Sequence, residues 1–402
     1  MVLHARHQGS SYTISLKSHS VAVGIDDRVV AAWDRGGRLY SLYRDEGTWR
    51  RGLSGGAIEK RLSGGARLRR SLTEAEVDGL VDETAAIAGR TSTAMATVDW
   101  RWNDPVDAVT AQEARVLLAF CARFDAAAAR ADAARFARVY RPVGILPPDQ
   151  YLALVVQATE GCSFNTCTFC DLYHDRYRVK TQHEFREHVR AVLDYLGGSV
   201  DLRSRGIFLG SANALAIPMT RLIPLLEVLA EEVDSMRRGL NAFVDGFTGQ
   251  LKTADDYSQL SQFGLRRVYV GLESGHDPLL AFVRKPGSTA GAIDTVRAVK
   301  DAGLTVGVIV MTGLGGRQYA DGHVAGTASA LTAMGLGPGD LLYFSELVEV
   351  AGTSYPRLAR EGALNPLDHE ACGLQRTRIL EATRFPGPPP QVATYDIREF
   401  VY

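Results

Sequence analysis

Short apolar runs rich in β-branched and aromatic residues open the chain: SYTISL, VAVGID, RVVAAW and RLYSLY. Turn formers such as Asp26-Asp27 and Gly36-Gly37 separate them. Short runs with period-two character between turns predict strands, so the first seventy residues read as β-rich. The spacing then lengthens. A helix is expected to open at Ser71-Leu72-Thr73-Glu74, with Ser71 or Thr73 as its N-cap. A second, Ala- and Arg-rich helix is expected from about Thr110 to Tyr140, carrying Cys121 as a buried, unreactive thiol.

From about residue 150 the rhythm becomes strand, loop, helix. Strands are predicted at Tyr151–Val156, Gly206–Leu209, Leu240–Val244, Arg267–Gly271, Thr305–Met311 and Asp340–Phe344. Helical spacing fills the intervals at Glu184–Leu196, Met219–Val233, Ala254–Phe263, Pro278–Val283, Ala290–Ala302 and Val324–Met334. Alternation of this kind predicts a parallel sheet with right-handed crossovers, either an open doubly wound layer or a partial barrel. Ligands bind at the carboxyl ends of the strands in both architectures. Beyond residue 365 come a helix around Glu370–Ala382, a Pro-rich linker at 386–390 and a terminal stretch of strand composition. The expected division is 1–145 (β-rich, then helical), 146–350 (the α/β core) and 351–402 (a carboxyl-terminal extension).

Bulk properties narrow the function. With 46% hydrophobic and 23% charged residues, the chain has the composition of a globular protein with a substantial core. A formal charge of −1 argues against a nucleic-acid partner. No run of about eighteen apolar residues is available to span a membrane, and the first residues lack the apolar segment of a signal peptide. Cytoplasmic residence without a membrane partner is the expectation.

Three of the five cysteines, Cys162, Cys167 and Cys170, crowd into GCSFNTCTFC directly after the first core strand. Thiols spaced C-x4-C-x2-C point to a metal site rather than a disulfide, and three ligands leave a coordination position open. A zinc knuckle or a plain cluster is the alternative reading of the triplet.

The string EGCSFNTCTFCD after a first strand resembles the radical S-adenosylmethionine (SAM) superfamily, with one residue more than the common C-x3-C-x2-C spacing. Further likeness lies in Gly210-Ser211-Ala212-Asn213, where the family usually carries Gly-Gly-Glu, and in Gly271-Leu272-Glu273-Ser274-Gly275. The latter resembles the G-[LIV]-[QE]-S-G segment of the coproporphyrinogen-oxidase and methylthiotransferase branch. The apolar strand around Ile309 resembles the edge that flanks adenine. The resemblance implies a partial (β/α)6 TIM-type barrel and a [4Fe-4S] cluster on Cys162, Cys167 and Cys170. It also implies S-adenosylmethionine bound near Phe169, Gly210, Ser211, Asn213, Glu273, Ser274, Gly275 and Ile309. The activity implied is reductive cleavage of S-adenosylmethionine to a 5′-deoxyadenosyl radical that takes hydrogen from an organic small molecule or peptide. An external one-electron reductant of flavodoxin or ferredoxin type would serve it. The alternative function is a non-catalytic iron–sulfur sensor or electron-transfer protein.

Asp245, Ser345 and Glu346 stand at strand ends and are candidate substrate-lining residues. The sequence Asp321-Gly322-His323-Val324-Ala325-Gly326 spells the D-x-H-x-x-G signature of cobalamin binding. Here Asp321 is read instead as the N-cap of the helix that follows. His174 is read as part of a solvated polar face.

Overall fold

A computed structural model describes residues 1–63, 66–173, 175–245, 251–350 and 352–402. The chain forms two compact units: Met1–Pro142, Ala191–Ser204 and Arg398–Tyr402 make the first, Val143–Arg190 and Arg205–Ile397 the second.

The first unit is built on an antiparallel meander. Its strands are β1 (Val2–His7), β2 (Ser10–Lys17), β3 (Ser20–Ile25), β4 (Val29–Asp34), β5 (Leu39–Arg44), β6 (Gly47–Arg51), β7 (Ala57–Ser63) and β8 (Ala66–Ser71), with β9 (Arg101–Trp102) paired to β1. Alternation sets the inner face: in β2, Ile14 and Leu16 are buried while Ser15 and Lys17 are not. Helices α1 (Glu74–Ala94), α2 (Ala108–Cys121) and α3 (Ala126–Val139) supply the other half of a core that includes Ile14, Val23, Trp33, Leu42, Val81 and Leu118. Thr73 caps α1 in a capping box with Glu76.

The single helix expected from Thr110 to Tyr140 is two. The side chain of Asp125, in extended conformation, accepts from the Ala128 N–H and starts α3 afresh. The break between the helices also lets Phe124 join the core. Cys121 is fully buried, and burial pushes its thiol up to about 12.

The second unit carries seven parallel strands: β10 (Leu154–Gln157), β13 (Ile207–Gly210), β14 (Leu240–Val244), β15 (Leu265–Glu273), β16 (Thr305–Thr312), β17 (Leu341–Glu346) and β18 (Gln391–Tyr395). Two short strands, β11 (Thr159–Glu160) and β12 (Arg178–Val179), form a separate antiparallel ladder. The crossovers hold α4 (Gln182–Leu196), α5 (Met219–Glu232), α6 (Ser235–Arg238), α7 (Ala254–Ser261), α8 (Asp277–Phe282), α9 (Thr289–Asp301), α10 (Gly316–Met334), α11 (Tyr355–Glu361) and α12 (His369–Ala382). Spatial order follows chain order with no reversal. A doubly wound sheet needs a point where the order reverses, so the topology is that of a partial TIM-type barrel layer. Every residue of β10 and β13 is buried, as parallel strands covered on both faces require.

The terminal stretch of strand composition joins the core sheet, with β18 paired to β17 from Leu341↔Gln391 to Ser345↔Tyr395. One expectation changes. Asp321 is no N-cap: Gly315, at φ 78°, starts α10 well before it, and Asp321 lies within the helix, exposed and 2.9 Å from Arg378. The glycines of the D-x-H-x-x-G string serve packing. A Cβ on Gly322 would come within 2.6 Å of the His276 ring, and one on Gly326 within 2.3 Å of the Gly275 carbonyl oxygen. Among the described residues, no helix is long and apolar enough to cross a membrane.

Candidate active site

The cysteine loop is closed at its base. β11 and β12 pair across it, and the Arg178 guanidinium holds both carboxylate oxygens of Glu160 at 2.8 Å, with Lys180 3.3 Å from the same group. Planar fork-to-carboxylate pairing of this kind fixes orientation as well as distance. Gly161 precedes the first cysteine at φ 68°, where a Cβ would lie 2.2 Å from the Asp175 carbonyl oxygen, so the position admits only glycine. The four-residue spacer turns at Asn165, whose φ of 51° is a left-handed conformation that Asn tolerates.

The tip of the loop is anchored on the segment after α8. The Thr168 N–H and hydroxyl both donate to the Val283 carbonyl, at 3.0 and 3.2 Å, and the Thr166 hydroxyl donates to the Arg284 carbonyl at 3.2 Å. The Tyr355 N–H donates to the Thr168 carbonyl at 2.8 Å. Phe169 packs against a small cluster of Leu279, Val283, Leu314, Tyr355 and Ala359.

Cys162, Cys167 and Cys170 border one cavity of about 270 Å³ at the carboxyl ends of the strands. Burial pushes the Cys167 thiol up to about 11 and raises that of Cys170. Among the described residues, no three His, Cys, Asp or Glu side chains converge on a single ion-sized point. The donor set fits a [4Fe-4S] cluster: three thiols on one short loop face a shared space, and such a cluster takes each thiolate on a separate iron.

Phe169, Asn213, Asp245, Glu273, Ile309, Ser345 and Glu346 border the same cavity. Asn213 and Asp245 form one unit across the ends of β13 and β14. The Asp245 N–H donates to the Asn213 amide oxygen at 3.0 Å, the Asn213 NH2 donates to the Asp245 carboxylate, and the Ser163 hydroxyl donates to that carboxylate at 3.3 Å. Glu273 sits at a register shift between β15 and β16 with φ 56°. Its carboxylate lies 3.6 Å from the Lys285 ammonium. Burial raises the Glu273 carboxyl, and Lys285 pulls part of that back. Burial works against the Lys285 charge, but Glu273 and the neighbouring thiols overcome it, so the ammonium is held above its ordinary range.

Gly210, Ser211, Ser274 and Gly275 are placed elsewhere. The Ser211 N–H donates to the Thr159 hydroxyl at 2.9 Å, which ties the end of β13 to β11. Ser274 is fully buried with its hydroxyl 2.7 Å from His323 Nδ1, and the Gly275 N–H donates to the Thr327 hydroxyl at 2.9 Å. Both therefore face α10. His174 lies outside the described residues. Sequence reasoning missed Lys285, Met311, Tyr173 and Tyr395, all of which border the cavity. The local signals were the apolar strand expected over Thr305–Met311 and the strand composition around Tyr395.

Residues 156–325 match the model of the Radical SAM superfamily. Those residues, 170 of the chain's 402, form a radical SAM domain, the domain of a class of enzymes whose cofactors are a [4Fe-4S] cluster and S-adenosylmethionine. Among solved structures, the radical SAM methyltransferase TsrM from Kitasatospora setae, with tryptophan substrate and a SAM analog bound, is 15% identical. That match covers 51% of this chain and 39% of that one, with a TM-score of 0.36. The radical SAM enzyme coproporphyrinogen III oxidase (HemN) from Escherichia coli is 13% identical over 58% of this chain and 53% of its own, with a TM-score of 0.39. Methylornithine synthase (PylB) is 13% identical over 58% and 63%, with a TM-score of 0.38. The chain thus spans less than two thirds of the length of each. No curated protein matches it.

Proposed function

We propose that the protein is an enzyme in which Cys162, Cys167 and Cys170 hold one [4Fe-4S] cluster beside a site for S-adenosylmethionine and an organic substrate. The observation that carries this reading is that three thiols, carboxylates and a partly buried cation border one cavity at the carboxyl ends of a parallel sheet. Three protein ligands leave one iron open to a ligand from outside the protein. When bound, the cluster supplies the electron that splits S-adenosylmethionine into methionine and a 5′-deoxyadenosyl radical, which takes hydrogen from the substrate.

The chain's own groups complement the charges of S-adenosylmethionine. Lys285 is the one Lys or Arg bordering the cavity among the described residues, and it supports the methionine carboxylate. Asp245, held in place by Asn213 and Ser163, supports the ammonium group. Phe169 and Ile309 offer apolar surface to the adenine, and Glu273 accepts from ribose hydroxyls. Apolar lining from Met311, Leu347 and Val348 keeps water from the reacting centre. An external one-electron reductant of flavodoxin or ferredoxin type completes the scheme.

Anaerobic reconstitution with iron and sulfide, dithionite reduction and addition of S-adenosylmethionine tests this. We expect 5′-deoxyadenosine in excess over the variant with Cys162, Cys167 and Cys170 all replaced by Ala. A reduced cluster that yields none points to the electron-transfer alternative.

A further inference from the structure

The groups assigned above account for only part of the cavity wall. Ile145, Leu146, Val350, Tyr395 and Ile397 also border it. They come from the segment ahead of β10, the segment after β17, and the seventh strand with the residues just past it. Tyr395 stands edge-on to Tyr343 with ring centroids 5.9 Å apart, and Ser345 hydrogen-bonds its hydroxyl. This surface is aliphatic and aromatic.

The charged groups around it are mainly of one sign. Among the described residues, Asp171, Asp245, Glu273 and Glu346 border the cavity, against the single cation Lys285, which already faces Glu273. Glu346 shares one oxygen with the exposed His369, Nδ1 to Oε2 2.7 Å. Cluster thiolates at Cys162, Cys167 and Cys170 make the site more negative. An anionic substrate would lose its water here and meet only Lys285, which faces Glu273 and which the proposed function commits to the methionine carboxylate, so its binding is disfavoured. A cationic one would meet carboxylates.

Resting on the function proposed above, we infer that the substrate is a small apolar amine. Its hydrocarbon part lies against Tyr395, Ile397, Val350 and Ile145, and its ammonium group is met by Glu346. Recognition by an aromatic face and a carboxylate also suits the cation physically, since a ring quadrupole attracts positive charge.

The test is isothermal titration of the anaerobically reconstituted holoprotein, saturated with S-adenosylmethionine, using 2-phenylethylamine and 3-phenylpropionate as probes of opposite charge. The amine is expected to bind at least about tenfold more tightly than the acid, the size of one desolvated charge contact. Glu346→Gln is expected to narrow that ratio to about threefold or less, and Tyr395→Leu to weaken the amine without reversing the preference. Equal or tighter binding of the acid, no binding of either probe at millimolar concentration, or an unchanged ratio in Glu346→Gln each overturns the proposal. S-adenosylmethionine is titrated first, in a separate run. A protein that fails there but still prefers the amine defeats the cofactor reading and leaves the charge preference standing.

Discussion

Gly271 and Glu273 show how single atoms shape the cavity. A Cβ at Gly271 would fall 2.7 Å from Glu273 Oε1 and 3.6 Å from Lys285 Nζ, so the missing methyl is what lets the carboxylate fold back over its own strand. Replacing Lys285 by Met leaves the largely enclosed Glu273 carboxylate without its cation. That substitution is expected to cost about 3 kcal/mol in urea unfolding, with much of the loss recovered by adding Glu273→Gln. His323 is a second case. Burial, reinforced by the nearby charge of His276 and partly opposed by the Met311 backbone, lowers its pKa from 6.5 to about 4. Between those two values the unfolded chain binds a proton that the folded chain refuses. The stability contribution is therefore complete above pH 6.5 and drains away as the pH falls toward 4, by about 3 kcal/mol in all. Urea midpoints measured across that window should fall with acid in the wild type and fall less in His323→Gln. At this scale the cysteines were legible and Lys285 was not. The thiols announce themselves by their spacing within nine consecutive positions, whereas Lys285 reaches them only because Thr166 and Thr168 bond to the backbone at Val283 and Arg284.

Elements were legible where local chemistry and tertiary packing agree. The core strands fell close to their expected positions because each is a buried apolar run bounded by turn residues, as in β14. Where the two disagree, the sequence pattern misleads. Alanine-rich composition favours helix throughout 110–140, yet Asp125 offers an N-cap and Phe124 gains burial by leaving helical geometry. Asp125→Ala should cost about 1 kcal/mol in chemical denaturation, the usual worth of such a cap. The opposite error came at α10, where a polar Asp suggested a start but left-handed Gly315 had already supplied one. Ser274 and Gly275 illustrate a third kind of miss. Their motif sits at a strand end, but the close approach of Gly275 to Gly326 turns them toward a helix instead of the cavity.

At the scale of the whole molecule, strand order decides what one-dimensional alternation could not. Both a doubly wound sheet and a partial barrel alternate strand and helix, and only the unreversed order of seven strands separates them. It also explains why the stretch around Tyr395 carried no legible chemistry: its role depends on pairing beside β17, some fifty positions earlier in the chain. Ligand binding to the folded form alone adds stability by mass action. S-adenosylmethionine at a hundred times its dissociation constant should therefore stabilise the second unit of the oxidised holoprotein, which binds without cleaving it, by about 2.7 kcal/mol, read from the denaturant midpoint for loss of cluster absorbance.

The division into two units has a spectroscopic consequence. All four tryptophans, Trp33, Trp49, Trp100 and Trp102, belong to the first unit, and the cluster cysteines belong to the second. Indole emission therefore watches the meander and its helices, while visible absorbance of the bound cluster watches the parallel sheet. One unfolding titration followed in both colours assigns each transition to its own half of the chain without any introduced label.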